Sequence, residues 1–217
     1  MPLTFTLKGA VLAIAASVLL TTTANAQRSV EGNVVTSEVL PAVRLEMEPA
    51  FTYLGGQDFI LYGVANAEQH FFAELDGKRV KRLLWIQFEG YLEDNDHTYD
   101  YSRYPVIELD GHPFHHNSAF KQISETEARP DSDGARAYAF LAENGYPIGP
   151  EVMFQRLVWL LDNPARNELM FIYMEDLADH GLTAGDLGPE GEATDRWEEL
   201  AEGLLERAVA SVRLSGN

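Results

Sequence analysis

The amino-acid sequence predicts an α+β fold: a curved antiparallel sheet built from hairpins, covered on one face by two or three helices, the last of them long and C-terminal. Three observations carry this. Strand-patterned segments come first, helix-prone segments follow, and one more apolar strand precedes the final helix, an order that suits α+β rather than alternating units. The tetrapeptide Glu-Leu-Asp-Gly occurs at both 74–77 and 108–111, and Asp-Gly between β-formers is a strong hairpin signal. Finally, Trp197, Leu200, Ala201, Leu204, Leu205, Ala208 and Val212 recur at the spacing of one helical face.

Residues 1–26 read as a cleaved export signal. Lys8 gives a weakly positive start, an apolar run extends from Gly9 to Leu20, and Ala24-Asn25-Ala26 is an A-x-A cleavage pattern before Gln27. A bilayer span needs about 20 apolar residues, so the run is too short to anchor the chain; the alternative is a buried N-terminal helix. The expected mature protein has 191 residues (217 less 26), carries no membrane anchor, and is periplasmic or secreted after cleavage near Ala26. Residues 27–41 read as a flexible N-terminal arm and 42–217 as a single α+β domain, long enough to bury roughly 70% of its unfolded surface. With no Cys in the chain, disulfides, thiol nucleophiles, iron–sulfur clusters and thioether-linked haem are excluded.

Charge narrows the partners. Loss of residues 1–26 removes only Lys8, leaving 15 basic against 34 acidic residues, a formal −19. Nucleic acid and anionic membrane surfaces are not expected partners, because phosphate binding rests on Lys and Arg. A cationic ligand or a basic protein partner is permitted, and the charge also serves solubility.

Within the domain, Val43, Leu45 and Met47 alternate with Arg44, Glu46 and Glu48, the period of a half-buried strand. Tyr53–Gln57, with Gly55-Gly56, reads as a turn. The next stretch, 64–92, reads as a long hairpin turning at Asp76-Gly77. "NAEQHFFAEL" (66–75) also contains strong helix formers, so a helix there is the rival reading. Residues 131–145 predict a helix capped at Ser132 and stopped at Asn144-Gly145. Residues 149–164 predict another, starting with Pro150 in its first turn and ending before Pro164, with Val152, Leu157, Leu160 and Leu161 as its apolar residues. Glu168–Leu177 reads as a central strand, and 181–191 as a Gly-rich loop before the last helix.

If Asp76-Gly77 is a two-residue turn, Leu75 opposes Lys78 and Glu74 opposes Arg79. Asn66 then faces Gln87, with Glu68 and Glu89 on the diagonals, His70 beyond, and the rings of Tyr62, Trp85 and Tyr91 around them. Gly63 faces Gly90, a place for the ribbon to bend. Aromatic walls with convergent polar groups suit a ligand site, so Tyr62, Asn66, Glu68, His70, Trp85, Gln87, Glu89 and Tyr91 are the candidate binding residues. The same register puts Glu68 and Glu89 about 13–14 Å apart, too far for the usual glycosidic pair.

The expected function is therefore that of an exported domain binding a small molecule or a protein partner through its curved sheet, with no catalytic chemistry, cofactor or metal. The alternative is a hydrolase-like enzyme with His70 as base beside Glu68, or a metal enzyme built on His112, His115 and His116, joined by His97. A looser cation site could use Asp94, Asp96 and Asp100, although Tyr99 and Pro105 break the calcium-loop pattern. No H-E-x-x-H, G-x-S-x-G, P-loop or G-x-G-x-x-G motif occurs.

Overall fold

The computed structural model describes residues 27–123, 129 and 131–216; the expected export signal lies outside them. Strands follow one another in hairpins: β1 (Arg28–Glu31), β2 (Val34–Ser37), β3 (Val43–Met47), β4 (Thr52–Leu61), β5 (Ala65–Asp76) and β6 (Arg79–Tyr91). Beyond a loop come β7 (Val106–Leu109) and β8 (His112–Gln122), then α1 (Asp133–Glu143), β9 (Glu151–Leu160) and β10 (Asn167–Asp176). A 3-10 turn at Leu177–His180, the single turn α2 (Ala184–Leu187) and α3 (Trp197–Ala210) lead into β11 (Val212–Gly216). The fold is α+β, with two antiparallel sheets and a C-terminal helix. Strand order is β1-β2-β3-β11 in the small sheet and β4-β5-β6-β10-β9-β8-β7 in the large one, and neither closes into a barrel. No helix among the described residues is long and apolar enough to cross a membrane.

The two Asp-Gly pairs turn differently. Asp110 and Gly111 adopt φ of +49° and +84°, with Leu109 opposite His112, so the second copy forms the expected two-residue turn. In the first copy Asp76 instead pairs with Arg79, so Gly77 and Lys78 make the turn, with Gly77 at φ +65°. One strand position further on, Leu75 opposes Val80 while Glu74 opposes Arg82, leaving Lys81 as a bulge. The turn displaces the register by two residues and the bulge by a third. An odd displacement exchanges the faces of β6 relative to β5. Gln69, not Asn66, therefore faces Gln87, and Asn66 faces Gly90. The expected glycine opposition fails too, since Gly63 lies in the β4–β5 turn. Glu74 pairs with Arg82 and Lys81, while Arg79 reaches Asp176 and Asp179.

Strand β10 lies fourth of seven and is buried almost throughout, matching its continuous apolar run. Its neighbour β9 replaces the helix expected over 149–164. Met153, Gln155 and Leu157 point to one side and Val152 and Val158 to the other, all buried, so no polar stripe marks a strand period. Ser132 caps α1 by accepting from Ala135 N–H at 3.1 Å, and the helix stops at Asn144.

One face of the large sheet, here the inner face, brings Phe72, Leu84, Ile86, Phe114, Phe171 and Tyr173 into one core with Val35, Leu45 and Val212 of the small sheet and Leu204 and Ala208 of α3. The outer face packs Phe71, Leu83, Trp85 and Met170 against Ala137 and Leu141 of α1. The two long helices thus lie on opposite faces rather than on one. The small sheet explains this: residues 27–41, read as a loose arm, supply β1 and β2, and the chain end read as helix supplies β11. Tyr53–Gln57, read as a turn, continues within β4 around a bulge between Tyr53 and Gly55.

Candidate functional site

Strand alternation splits the predicted residues. Asn66, Glu68 and His70 point to the inner face of β5. Trp85, Gln87, Glu89 and Tyr91 point to the outer face, because Ala67 opposes Glu89 and Phe71 opposes Trp85. Tyr62 belongs to neither; it sits in the β4–β5 turn at φ +51° and is 43% exposed. The cause is the three-residue shift in register.

On the inner face a polar row crosses from β4 to β1. Tyr53 Oη lies 3.1 Å from His70 Nδ1, His70 Nε2 lies 2.8 Å from Glu68 Oε1, and Arg28 donates to Glu68 Oε2 at 2.6 Å. The row fits an imidazole that donates from Nε2 and accepts from the tyrosine. Arg28 also donates to the Leu40 carbonyl at 2.9 Å and lies 4.0 Å over the Phe88 ring. Burial alone would raise the Glu68 pKa, but its bonds to His70 and Arg28 prevail and hold it below the usual carboxylate value. Both imidazole nitrogens are thus engaged, and His70 is 8% exposed.

Beside this row opens a cavity of about 600 Å³. Its floor is the β4–β5–β6–β10 surface, and the chain around Arg28 and Leu40 lies across it. By alternation Asp58, Asn66, Glu68, Phe88 and Asn167 present side chains to it, while Glu89 and Glu168 contribute main chain. Gly90 keeps the floor low: a Cβ there would collide with the Asn167 side chain. Asp162 holds that side chain, accepting from Nδ2 at 2.8 Å.

On the outer face three glutamines form a directed row. Gln57 donates to Gln69 Oε1 at 2.7 Å, Gln69 to Gln87 Oε1 at 2.7 Å, and Gln87 to Glu89 Oε2 at 2.5 Å. The first two amides also donate to the α1 carbonyls of Arg136 and Asp133, at 3.0 and 3.2 Å. Tyr99 donates to Glu89 from the other side at 2.7 Å. Glu89, half-buried, directly opposes the buried Glu168 of β10, a pair of carboxyls that sequence reasoning missed. Burial raises both pKa values, that of Glu168 to about 8, with the Glu89 charge adding to it. Tyr101 donates to Glu168 Oε1 at 3.3 Å, while Oε2 is buried with no partner among the described residues. A signal was present: Glu168 is a carboxylate directly preceding the apolar run Leu169–Met174.

The tyrosines come from the 92–105 loop, which lies along this face. Tyr91, Tyr99 and Tyr101 stack at centroid spacings of 4.4 and 6.5 Å. Arg166 fixes the loop by donating to the carbonyls of Leu92, Asn95 and His97. The histidines of the metal reading do not converge. His112, His115 and His116 lie on β8, where His115 and His116 alternate between faces and His112 stacks on Trp159 at 4.0 Å. His97 lies in the 92–105 loop, its ring centroid 5.5 Å from that of Tyr91. Among the described residues no three His, Asp or Glu side chains are grouped to hold a metal ion. That covers Asp94, Asp96 and Asp100 as well.

Comparison with protein families, with curated proteins and with solved structures finds no match to the chain.

Proposed function

We propose that the chain is an exported domain, periplasmic or secreted, that binds a small polar ligand in the 600 Å³ cavity on the inner face and performs no chemistry of its own. The observation that carries this is the cavity's lining. Two carboxylates, Asp58 and Glu68, and two amides, Asn66 and Asn167, meet there beside the Phe88 ring, while the one cation, Arg28, is already held by Glu68. Its volume falls within the usual range of small-molecule sites. Surplus acceptors favour a ligand rich in hydrogen-bond donors or positively charged, such as a diamine or an amino sugar. Of the eight residues predicted to bind, Asn66 and Glu68 remain in this reading, His70 serves as support, Trp85, Gln87, Glu89 and Tyr91 belong to the outer face, and Tyr62 lies in the β4–β5 turn.

Calorimetric titration of the purified protein with putrescine and with glucosamine tests the reading. Saturable binding of either probe, weakened about tenfold by Asp58→Asn or Asn66→Leu, is expected. No binding of either probe at about 10 mM, or binding indifferent to both substitutions, would sink it. Export is checked by mass spectrometry of the chain recovered outside the cytoplasm, where an N-terminus at Gln27 is expected.

A further inference from the structure

A second, smaller cavity of about 160 Å³ lies on the outer face beneath α1. Its apolar side is Trp85, Met170 and Met174, and its polar side is Lys121, Arg156 and Asp133. Three observations single it out. Trp85 is 2% exposed, and its ring forms one wall of the cavity. Lys121 and Arg156 make no ion pair among the described residues, although the chain carries a net charge of −18. Lys121 rests over the Tyr138 ring at 5.1 Å, and Arg156 lies over Tyr101 and Tyr104 at 5.4 and 5.3 Å. Arg156 spends Nε on Asn117, at 2.9 Å. The one acid on the wall, Asp133, turns to its own helix and accepts from Gly134 N–H at 2.8 Å.

We propose that this cavity is a binding site for a small monocarboxylate with a compact apolar body. The carboxylate sits between Lys121 and Arg156, and the body lies against the Trp85 ring, Met170 and Met174. Charge-assisted hydrogen bonds to guanidinium and ammonium groups supply the recognition. The size is right for a single ring, since benzene occupies an apolar cavity of about 150 Å³. The site is independent of the inner-face cavity, from which the sheet separates it.

Benzoate is the probe and benzyl alcohol its neutral control. Benzoate is expected to bind and to shift the methyl resonances of Met170 and Met174 in methyl-labelled protein, leaving Met47 unmoved. Lys121→Met and Arg156→Met each weaken benzoate about tenfold and leave benzyl alcohol unchanged. If Arg156→Met fails to fold, the exposed Lys121 still provides the test. Benzoate without effect on either methyl at about 10 mM, equal affinity for acid and alcohol, or affinity unchanged in Lys121→Met overturns the proposal.

Discussion

Glu89 and Glu168 face each other across β6 and β10, two carboxyls in direct register, the first half-buried and the second buried. Burial and mutual repulsion hold the Glu168 pKa near 8, so at neutral pH this carboxyl is largely protonated. The folded state then binds a proton that the unfolded state releases near pH 4.5. Stability is therefore full below about pH 4.5 and is lost as pH rises toward 8, by up to roughly 5 kcal/mol from this group. Urea denaturation at pH 5, 7 and 9 should show that decline, and Glu168→Gln should flatten it. An unaltered pH profile in the variant would count against the buried acid. Glu89, Tyr101, Arg156 and Asp133 are the charged or titratable groups acting on it.

Arg28 ties the small sheet to the large one through Glu68. Replacing it with Met keeps a stem over Phe88 but leaves the carboxylate with His70 alone. The expected loss is about 1–3 kcal/mol, since the partner stays half-buried. In a double-mutant cycle with Glu68→Gln the two losses should fall short of adding, because they break one interaction. Strict additivity would mean that the pair contributes nothing.

Gly56→Ala should destabilise by about 1–3 kcal/mol. A Cβ there would stand 2.5 Å from the Gln69 carbonyl oxygen and 3.0 Å from both His70 Nδ1 and Tyr53 Oη, and strand backbone has little room to yield. Gly134→Ala is the contrast. Its nearest neighbour would be a Tyr138 ring carbon at 3.9 Å, and helix propensity predicts a gain of about 0.5–1 kcal/mol. Thermal melts of the two variants should move in opposite directions.

Asp110 does two things in its turn: it adopts a positive φ, and its carboxylate accepts the Leu214 N–H at 2.7 Å. It thus pins β11 to the β7–β8 hairpin. Asp110→Asn, which tolerates the turn and keeps an acceptor, should cost little; Asp110→Ala, which loses both, should cost about 1–2 kcal/mol. Faster amide exchange in β11 of the Ala variant alone checks the pin.

Local chemistry made much of the fold legible. The β7–β8 turn, α1 with its Ser132 cap, strand β3 and the central β10 all follow from residues adjacent in sequence. Strand β9 was hidden because both its faces are buried; without a polar side, Leu157, Leu160 and Leu161 mimic a helical stripe. The C-terminal strand was hidden for a related reason, as Val212 continues the apolar face of α3. The candidate site failed at a single point. Nothing in "LDGKRVKR" marks Lys81 as a bulge, yet that one extra residue sends Glu68 and Glu89 to opposite sides of the sheet. The pairing of Glu89 with Glu168 rests on contact between strands about eighty positions apart, and no local pattern encodes it.

The amide row on the outer face has a direction. Each of Gln57, Gln69 and Gln87 presents its NH₂ to the next acceptor, so three side chains share one polarity that ends at Glu89. An amide row of this kind works like a line of turnstiles: no member can reverse unless its neighbours reverse as well. If Glu89 takes up a proton on Oε2, the oxygen that now accepts from Gln87, that contact needs an acceptor instead of a donor and the row turns over. Its far end would then release the α1 carbonyls of Asp133 and Arg136. The protonation of one strand residue is thereby tied to how firmly the first turn of α1 is held. Side-chain amide resonances of the three glutamines, followed through the titration of Glu89, would move together if the row acts as one body.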